Sequence, residues 1–212
     1  MPRVILLIKE SSLTIVLFAL FLVCISMQSL AGWRLQIEIL AAHGAPAIGY
    51  WRYLSSGTFL EGLASNWQAA VLQLASLIVF SGFLYQRGAP HSRDPRKAKR
   101  IPIWREFRGI SWLYRNSLFL AFSLMFVLAL TMHVLVGRSA YNEERMLAAQ
   151  PAISIARFLI SAKFWSVTLQ TWQAEYLVIV IYIVLSIFLR QEGSAESKPV
   201  DASNESTGKA NE

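Results

Sequence analysis

The nineteen residues from Leu13 to Ala31 contain no charged side chain. As a helix they rise about 28 Å, close to the thickness of a bilayer's hydrocarbon core. Few soluble folds can absorb such a run, because a helix on a soluble core needs a polar face. Three more apolar runs follow, at residues 69–85, 117–136 and 172–189. The chain therefore reads as an all-α membrane protein with four transmembrane helices. An apolar fraction of 55% beside highly polar termini and a polar connector fits that class. Ser29-Leu30-Ala31 places small residues where a signal peptidase reads. The run is longer than a usual signal core, however, and a matching run recurs far from the N-terminus, so it is expected to remain a span. The single cysteine, Cys24, lies in this run and reads as a small apolar side chain.

Shifting the chain by 105 residues superposes its halves without a gap. Gly32 falls on Gly137, Pro46-Ala47-Ile48 on Pro151-Ala152-Ile153, and Trp67-Gln68-Ala69 on Trp172-Gln173-Ala174. Ser56 and Phe59 fall on Ser161 and Phe164, and Phe83-Leu84-x-Gln86-x-Gly88 on Phe188-Leu189-x-Gln191-x-Gly193. Shared apolar composition does not produce matching Pro, Trp-Gln and Gly positions, so the pattern reads as a duplication. The expected segments are a first two-span repeat (1–88), a basic connector (89–112), a second repeat (113–193) and a tail (194–212). An even number of spans per copy inserts both copies the same way up. They are then related by a pseudo-twofold axis along the membrane normal.

Between the copies, residues 86–116 carry Arg87, Arg93, Arg96, Lys97, Lys99, Arg100, Arg105, Arg108 and Arg115 against Asp94 and Glu106. That excess equals the net charge of the whole chain, +7. Bases gathered beside spans are explained by retention on the cytoplasmic side, so nucleic acid is not an expected partner. Both termini and the connector are expected on the cytoplasmic side of the membrane. Residues 103–112 mix Arg105 and Arg108 with Trp104, Phe107 and Trp112, which suits an amphipathic helix on anionic lipid; a solvated basic loop fits as well. The tail from residue 191 has no apolar periodicity and reads as disordered.

The outer loops, 32–66 and 137–171, hold Trp33, Tyr50, Trp51 and Tyr53, side chains suited to the headgroup boundary. The first span should continue as helix to Gly44. A short interfacial helix is expected over 48–54, with Ser55 or Ser56 capping a helix that starts near Thr58. In the second span Gln68, Gln73, Ser76, Ser81 and Gly82 recur at spacings that mark a packing face. Trp67, Trp172 and Gln173 belong to the same expected interface.

Gly32-Trp33, Trp67-Gln68, Trp172-Gln173 and the stretch Phe188-Leu189-Arg190-Gln191-Glu192-Gly193-Ser194-Ala195-Glu196-Ser197-Lys198-Pro199-Val200 resemble a bacterial family of small four-span membrane proteins, catalogued as a domain of unknown function. The resemblance covers nearly the whole chain and is most specific at the Gly-Ser-x-Glu-Ser-Lys-Pro tail. It implies a fold but no activity, cofactor or catalytic residue. Family members often carry Asn-Trp-Glu-Ser-Glu-Phe where this chain has Asn66-Trp67-Gln68-Ala69-Ala70-Val71 and Thr171-Trp172-Gln173-Ala174-Glu175-Tyr176, so most of those acids are absent here.

No stretch carries recognisable catalytic chemistry. His43, His91 and His133 fall on separate segments without metal-ligand spacing, and no hydrolase or phosphate-loop motif occurs. No cofactor or metal is therefore expected, and a membrane enzyme stands only as a second alternative. A small oligomeric transporter or channel is an alternative, because duplicated bundles and polar groups in spans recur in transporters. The best fit is a structural or interaction module that binds lipid, a membrane protein partner or its own copy through an aromatic outer cap. One candidate polar pair lies inside the spans: His133 and Glu175 stand at similar depth and could share a hydrogen bond, whereas the favoured alternative has Glu175 reaching the headgroups and His133 packing against aromatics or water.

A cysteine probe at Ala45 should be labelled by a membrane-impermeant reagent on intact cells, and one at Ser203 should be spared. Labelling at Ser203 from outside would overturn the orientation.

Overall fold

Residues 8–94 and 109–208 are described by the computed structural model. They form seven helices: α1 (Ser12–Ala42), α2 (Tyr50–Leu54), α3 (Gly57–Phe80), α4 (Gly109–Arg115), α5 (Ser117–Leu147), α6 (Ile155–Leu159) and α7 (Ala162–Phe188). No strand occurs among the described residues. Four helical stretches are long and apolar enough to cross a membrane: α1, α2 with α3, α5 and α7. At 31 residues each, α1 and α5 rise roughly 46 Å, so their helices run on past the hydrocarbon. Only 6% of the most apolar stretch of α1 is buried in the protein, against 33% for that of α2 and α3. Apolar surface on that scale needs an apolar surrounding.

Helix ends follow local chemistry. After α1, Gly44 adopts φ +67°, its N–H donating to Ala41 O at 3.0 Å while Ala45 N donates to Leu40 O at 2.9 Å. This left-handed cap closes the orphan carbonyls of the last turn. After α5 the same cap recurs at Ala149, φ +54°, with Ala149 N on Met146 O and Gln150 N on Arg145 O. A Cβ in that region costs on the order of 1–2 kcal/mol, which the cap has to offset. Of the two expected caps Ser56 is the one used, its Oγ accepting from Phe59 N at 3.3 Å, and Ser161 Oγ likewise accepts from Phe164 N at 3.2 Å.

Contacts in space sort the chain into two compact units that cut across the sequence copies: Met1–Gly62 with Val136–Ile153, and Leu63–Leu135 with Ser154–Glu212. In the first unit the segment after α1 folds back on it. Trp33 Nε1 donates to Ile48 O at 2.8 Å, and Ser29 and Tyr50 hydroxyls share a bond of 2.7 Å. Gly32 makes room for Tyr53: a Cβ there would stand 2.2 Å from the tyrosine oxygen. Residues 136–153 use polar side chains for the same task. Arg138 Nε donates to Ile153 O at 2.8 Å, Arg145 Nε to Pro151 O at 2.7 Å, and Asn142 exchanges two bonds with the Ile153 backbone. In the second unit α6 is capped by Ser154 on Arg157 N, and Phe158 is buried against Phe164 with ring centroids 5.4 Å apart.

Two boundaries depart from the sequence reading. The second span ends as helix at Phe80, not near Tyr85, because the chain turns at Gly82 and the Arg93 guanidinium donates to the Gly82 carbonyl. The tail is not a structureless strand of polar residues either. Residues 191–208 form successive turns held by Arg190 Nη2 to Ala202 O and Asn204 Oδ1, Gly88 N to Thr207 Oγ1, and Arg87 to Glu205 at 2.7 Å. Lys198 is buried, and its ammonium donates to the carbonyls of Ser203, Asn204 and Ser206. Burial, and then the charge of Arg190, hold its pKa below the ordinary lysine value. What composition misses here is that backbone carbonyls, not apolar side chains, form the core of this cap. The amphipathic helix expected over 103–112 lies mostly outside the described residues; its visible end enters α4.

Truncation after Pro199 removes the carbonyls around Lys198, the Nη2 partners of Arg190 and the partner of Arg87. It should lower Tm in detergent by several degrees. An unchanged melting curve would show that the tail adds nothing.

Candidate functional site

Within the second unit, α3 and α7 are joined by long polar side chains. Gln68 is fully buried; its Oε1 accepts from Trp172 Nε1 at 2.8 Å, while its Nε2 donates to Ser65 O at 3.1 Å. Farther along α3, Gln73 Nε2 donates to Glu175 O at 2.8 Å, and Ser76 and Tyr176 hydroxyls meet at 2.8 Å. Each bond satisfies a group that hydrocarbon would leave unpaired.

Beyond this ladder the two helices enclose a groove of about 360 Å³. Leu77, Phe80, Ile179, Val180 and Ile183 form its walls, with Gln73, Ser76 and Tyr176 at its inner end. The chain that leaves α3 closes it through Leu84, Tyr85, Ala89, His91 and Ser92. At its mouth Tyr182 Oη lies 2.6 Å from His91 Nε2 and 3.2 Å from Glu196 Oε2. His91 Nε2 stands 3.0 Å from Glu196 Oε2. With the proton on Nε2, both imidazole and phenol donate to the carboxylate. Glu196 is largely exposed and His91 part-buried, so solvent screening makes the pair a weak contributor to stability. Arg93 lies over the Tyr85 ring at 5.9 Å and brings a cation to the same rim.

The turns at this end repeat each other. Ser92 Oγ accepts from Gln86 N at 2.8 Å, and 105 residues later Ser197 Oγ accepts from Gln191 N at 2.9 Å. Gly88 and Gly193 both have positive φ, +82° and +76°. Extending the sequence match from Gly88 by four residues reaches Ser92 and Ser197, the signal that could have pointed to His91 and Glu196. The hydroxyls of Tyr176 and Tyr182 carry no such signal, since tyrosine in a span reads as apolar or interfacial.

Of the residues singled out in sequence, Gln68, Gln73 and Trp172 come together as the interhelical ladder. Trp67 is two-fifths exposed and Gln173 is exposed. His133 and Glu175 do not meet. His133 is fully buried with its ring 5.3 Å from Phe164, and neither ring nitrogen has a hydrogen-bond partner among the described residues. Glu175 lies eleven residues beyond Phe164, about 16 Å along α7. The depths appear equal only if the helix starts at Trp172, and it starts ten residues earlier, at Ala162. Among the described residues no group of three His, Cys, Asp or Glu side chains is placed to hold a metal ion.

The family model described as Domain of unknown function (DUF6766) matches residues 5–209, and the chain belongs to that family. Neither a curated protein nor a solved structure gives a significant match.

In a double-mutant cycle, Gln68→Leu and Trp172→Phe should show a coupling of about 0.6 kcal/mol, and no more than roughly 1.7, in detergent-unfolding stability. His133→Ala and Glu175→Ala should be additive. Coupling in the second cycle and none in the first would reverse the assignment.

Proposed function

We propose that this member of a family of unknown function is a structural or interaction module of the bacterial plasma membrane. Its outer segments are the docking face, and both termini lie in the cytoplasm. The observation that carries this reading is how the spans spend their polar side chains. Gln68, Gln73 and Ser76 are bonded across to α7, so they join helices and do not converge on a pathway. The large side chains turned outward are apolar or interfacial. Trp51 on α2 is 80% exposed, and Ile160 just after α6 is 82% exposed. Trp51 presents an aromatic face at no cost in core packing, the property of an interface anchor.

The 105-residue match supports a duplicated origin. With two spans per copy we place the pseudo-twofold axis along the membrane normal. The excess of Lys and Arg in the N-terminus, connector and tail supports the orientation. A second reading, a small oligomeric transporter or channel, draws on the groove between α3 and α7. The sequence motifs and the polar ladder give no support to an enzyme.

Purification in mild detergent should bring down a stoichiometric membrane partner or a second copy, and Trp51→Glu should release it without changing Tm. A lone protein that drives substrate-dependent flux in liposomes would favour transport instead.

A further inference from the structure

We propose that the groove between α3 and α7 holds one acyl chain of an anionic phospholipid, with the phosphate seated at the Arg93 rim. The proposal rests on reading α3 and α7 as membrane spans. It does not depend on the outer docking face.

The groove's walls exclude a polar ligand. Leu77, Phe80, Ile179, Val180 and Ile183 offer no hydrogen bond, and the polar groups at its inner end are already bonded between the helices. Its volume of about 360 Å³ lies at the lower end of ligand sites, wide enough for a chain but not for a large rigid ring system. From Gln73 to Phe80 the wall runs about 10 Å along α3, and from Tyr176 to Ile183 it runs the same distance along α7. An acyl chain enters such a groove sideways from the bilayer without first crossing water. A soluble amphiphile would have to leave its own aggregate to do so.

The rim decides the headgroup. Arg93 follows Ser92, which lines the groove, and its guanidinium covers Tyr85, which also lines it. The Gly82 carbonyl takes one of the five N–H donors that a guanidinium carries. The other described bases at this end already have partners. Arg87 pairs with Glu205, Glu196 with His91, and Arg190 and Lys198 donate to tail carbonyls. In sequence Arg93 precedes the run of bases from Arg96 to Arg108. A phosphodiester, with its single negative charge, complements that rim, and the guanidinium is the side chain best matched to phosphate oxygens.

The test uses the full chain in nanodiscs of phosphatidylcholine containing a minor fraction of phosphatidylglycerol. It is then released into detergent and read by native mass spectrometry for retained lipid. One phosphatidylglycerol per chain is expected, enriched about tenfold over its share of the bilayer. Arg93→Gln should abolish the enrichment while some lipid is still retained. Ile179→Trp, which fills the groove, should abolish retention of either lipid; Leu77→Phe serves as a second filling variant if the first does not fold. Millimolar inorganic phosphate should leave the retained lipid in place. Equal retention of both lipids by the wild type overturns the headgroup assignment, and retention that survives both folded filling variants overturns the groove. Loss of a protein partner in the Trp51→Glu experiment would leave these readings unchanged, so the two proposals fail separately.

Discussion

In hydrocarbon, a helix gains almost nothing by turning its leucines toward another helix, because lipid tails are equally apolar. What holds α3 to α7 must therefore come from groups that hydrocarbon cannot satisfy. The Gln68–Trp172 bond is the clearest of these. A buried amide and an indole N–H would each be costly alone, and together they leave no penalty. Gln73 on the Glu175 carbonyl and Ser76 on Tyr176 extend the same logic along the pair. Because glutamine and tyrosine are long, these bonds bridge the helices without drawing their backbones close. The groove beyond them follows from that spacing. Polar glue made of short residues would allow closer approach and leave no such space.

The spans were legible because length and hydropathy act locally. So was the cap at Ser56, which stands before a long helical run and can satisfy only the amides that follow it. The packing face at Gln68 and Gln73 was legible as well, since polar residues at helical spacing inside a span have few other uses. Partners were harder to read. Depth along a helix depends on where it starts, and Ser161 starts α7 ten residues before its apolar run. That displacement separates Glu175 from His133. The tail was misread for a different reason. Hydrophobic patterning detects cores made of side chains, whereas Lys198 is buried among backbone carbonyls.

Places where matched positions differ show what each backbone feature requires. Trp33 and Arg138 are 105 residues apart, and each donates a side-chain N–H to the carbonyl of its own matched isoleucine, Ile48 or Ile153. Indole and guanidinium share little except a planar N–H donor at similar reach. The returning loop therefore demands a donor and is indifferent to charge. Gly44 and Ala149 make the converse case. The left-handed cap survives an alanine because the two hydrogen bonds it completes offset the strain of one Cβ.

His91 and Glu196 occupy matched positions too, and they are in contact at 3.0 Å. Their contact sets two unlike side chains face to face. Two glutamates at that distance could not both ionise, and two histidines could not both be protonated. Tyr182 has no counterpart of its own kind, since the matched residue is Leu77, and its hydroxyl can donate only if an acceptor stands opposite. A histidine facing a glutamate resolves both difficulties: one ring N–H and one phenol O–H converge on a single carboxylate. The contact closes the mouth of the groove only because the two turns are unlike at this position. The unlike pair, more than any likeness between the two turns, sets the chemistry at this end of the groove.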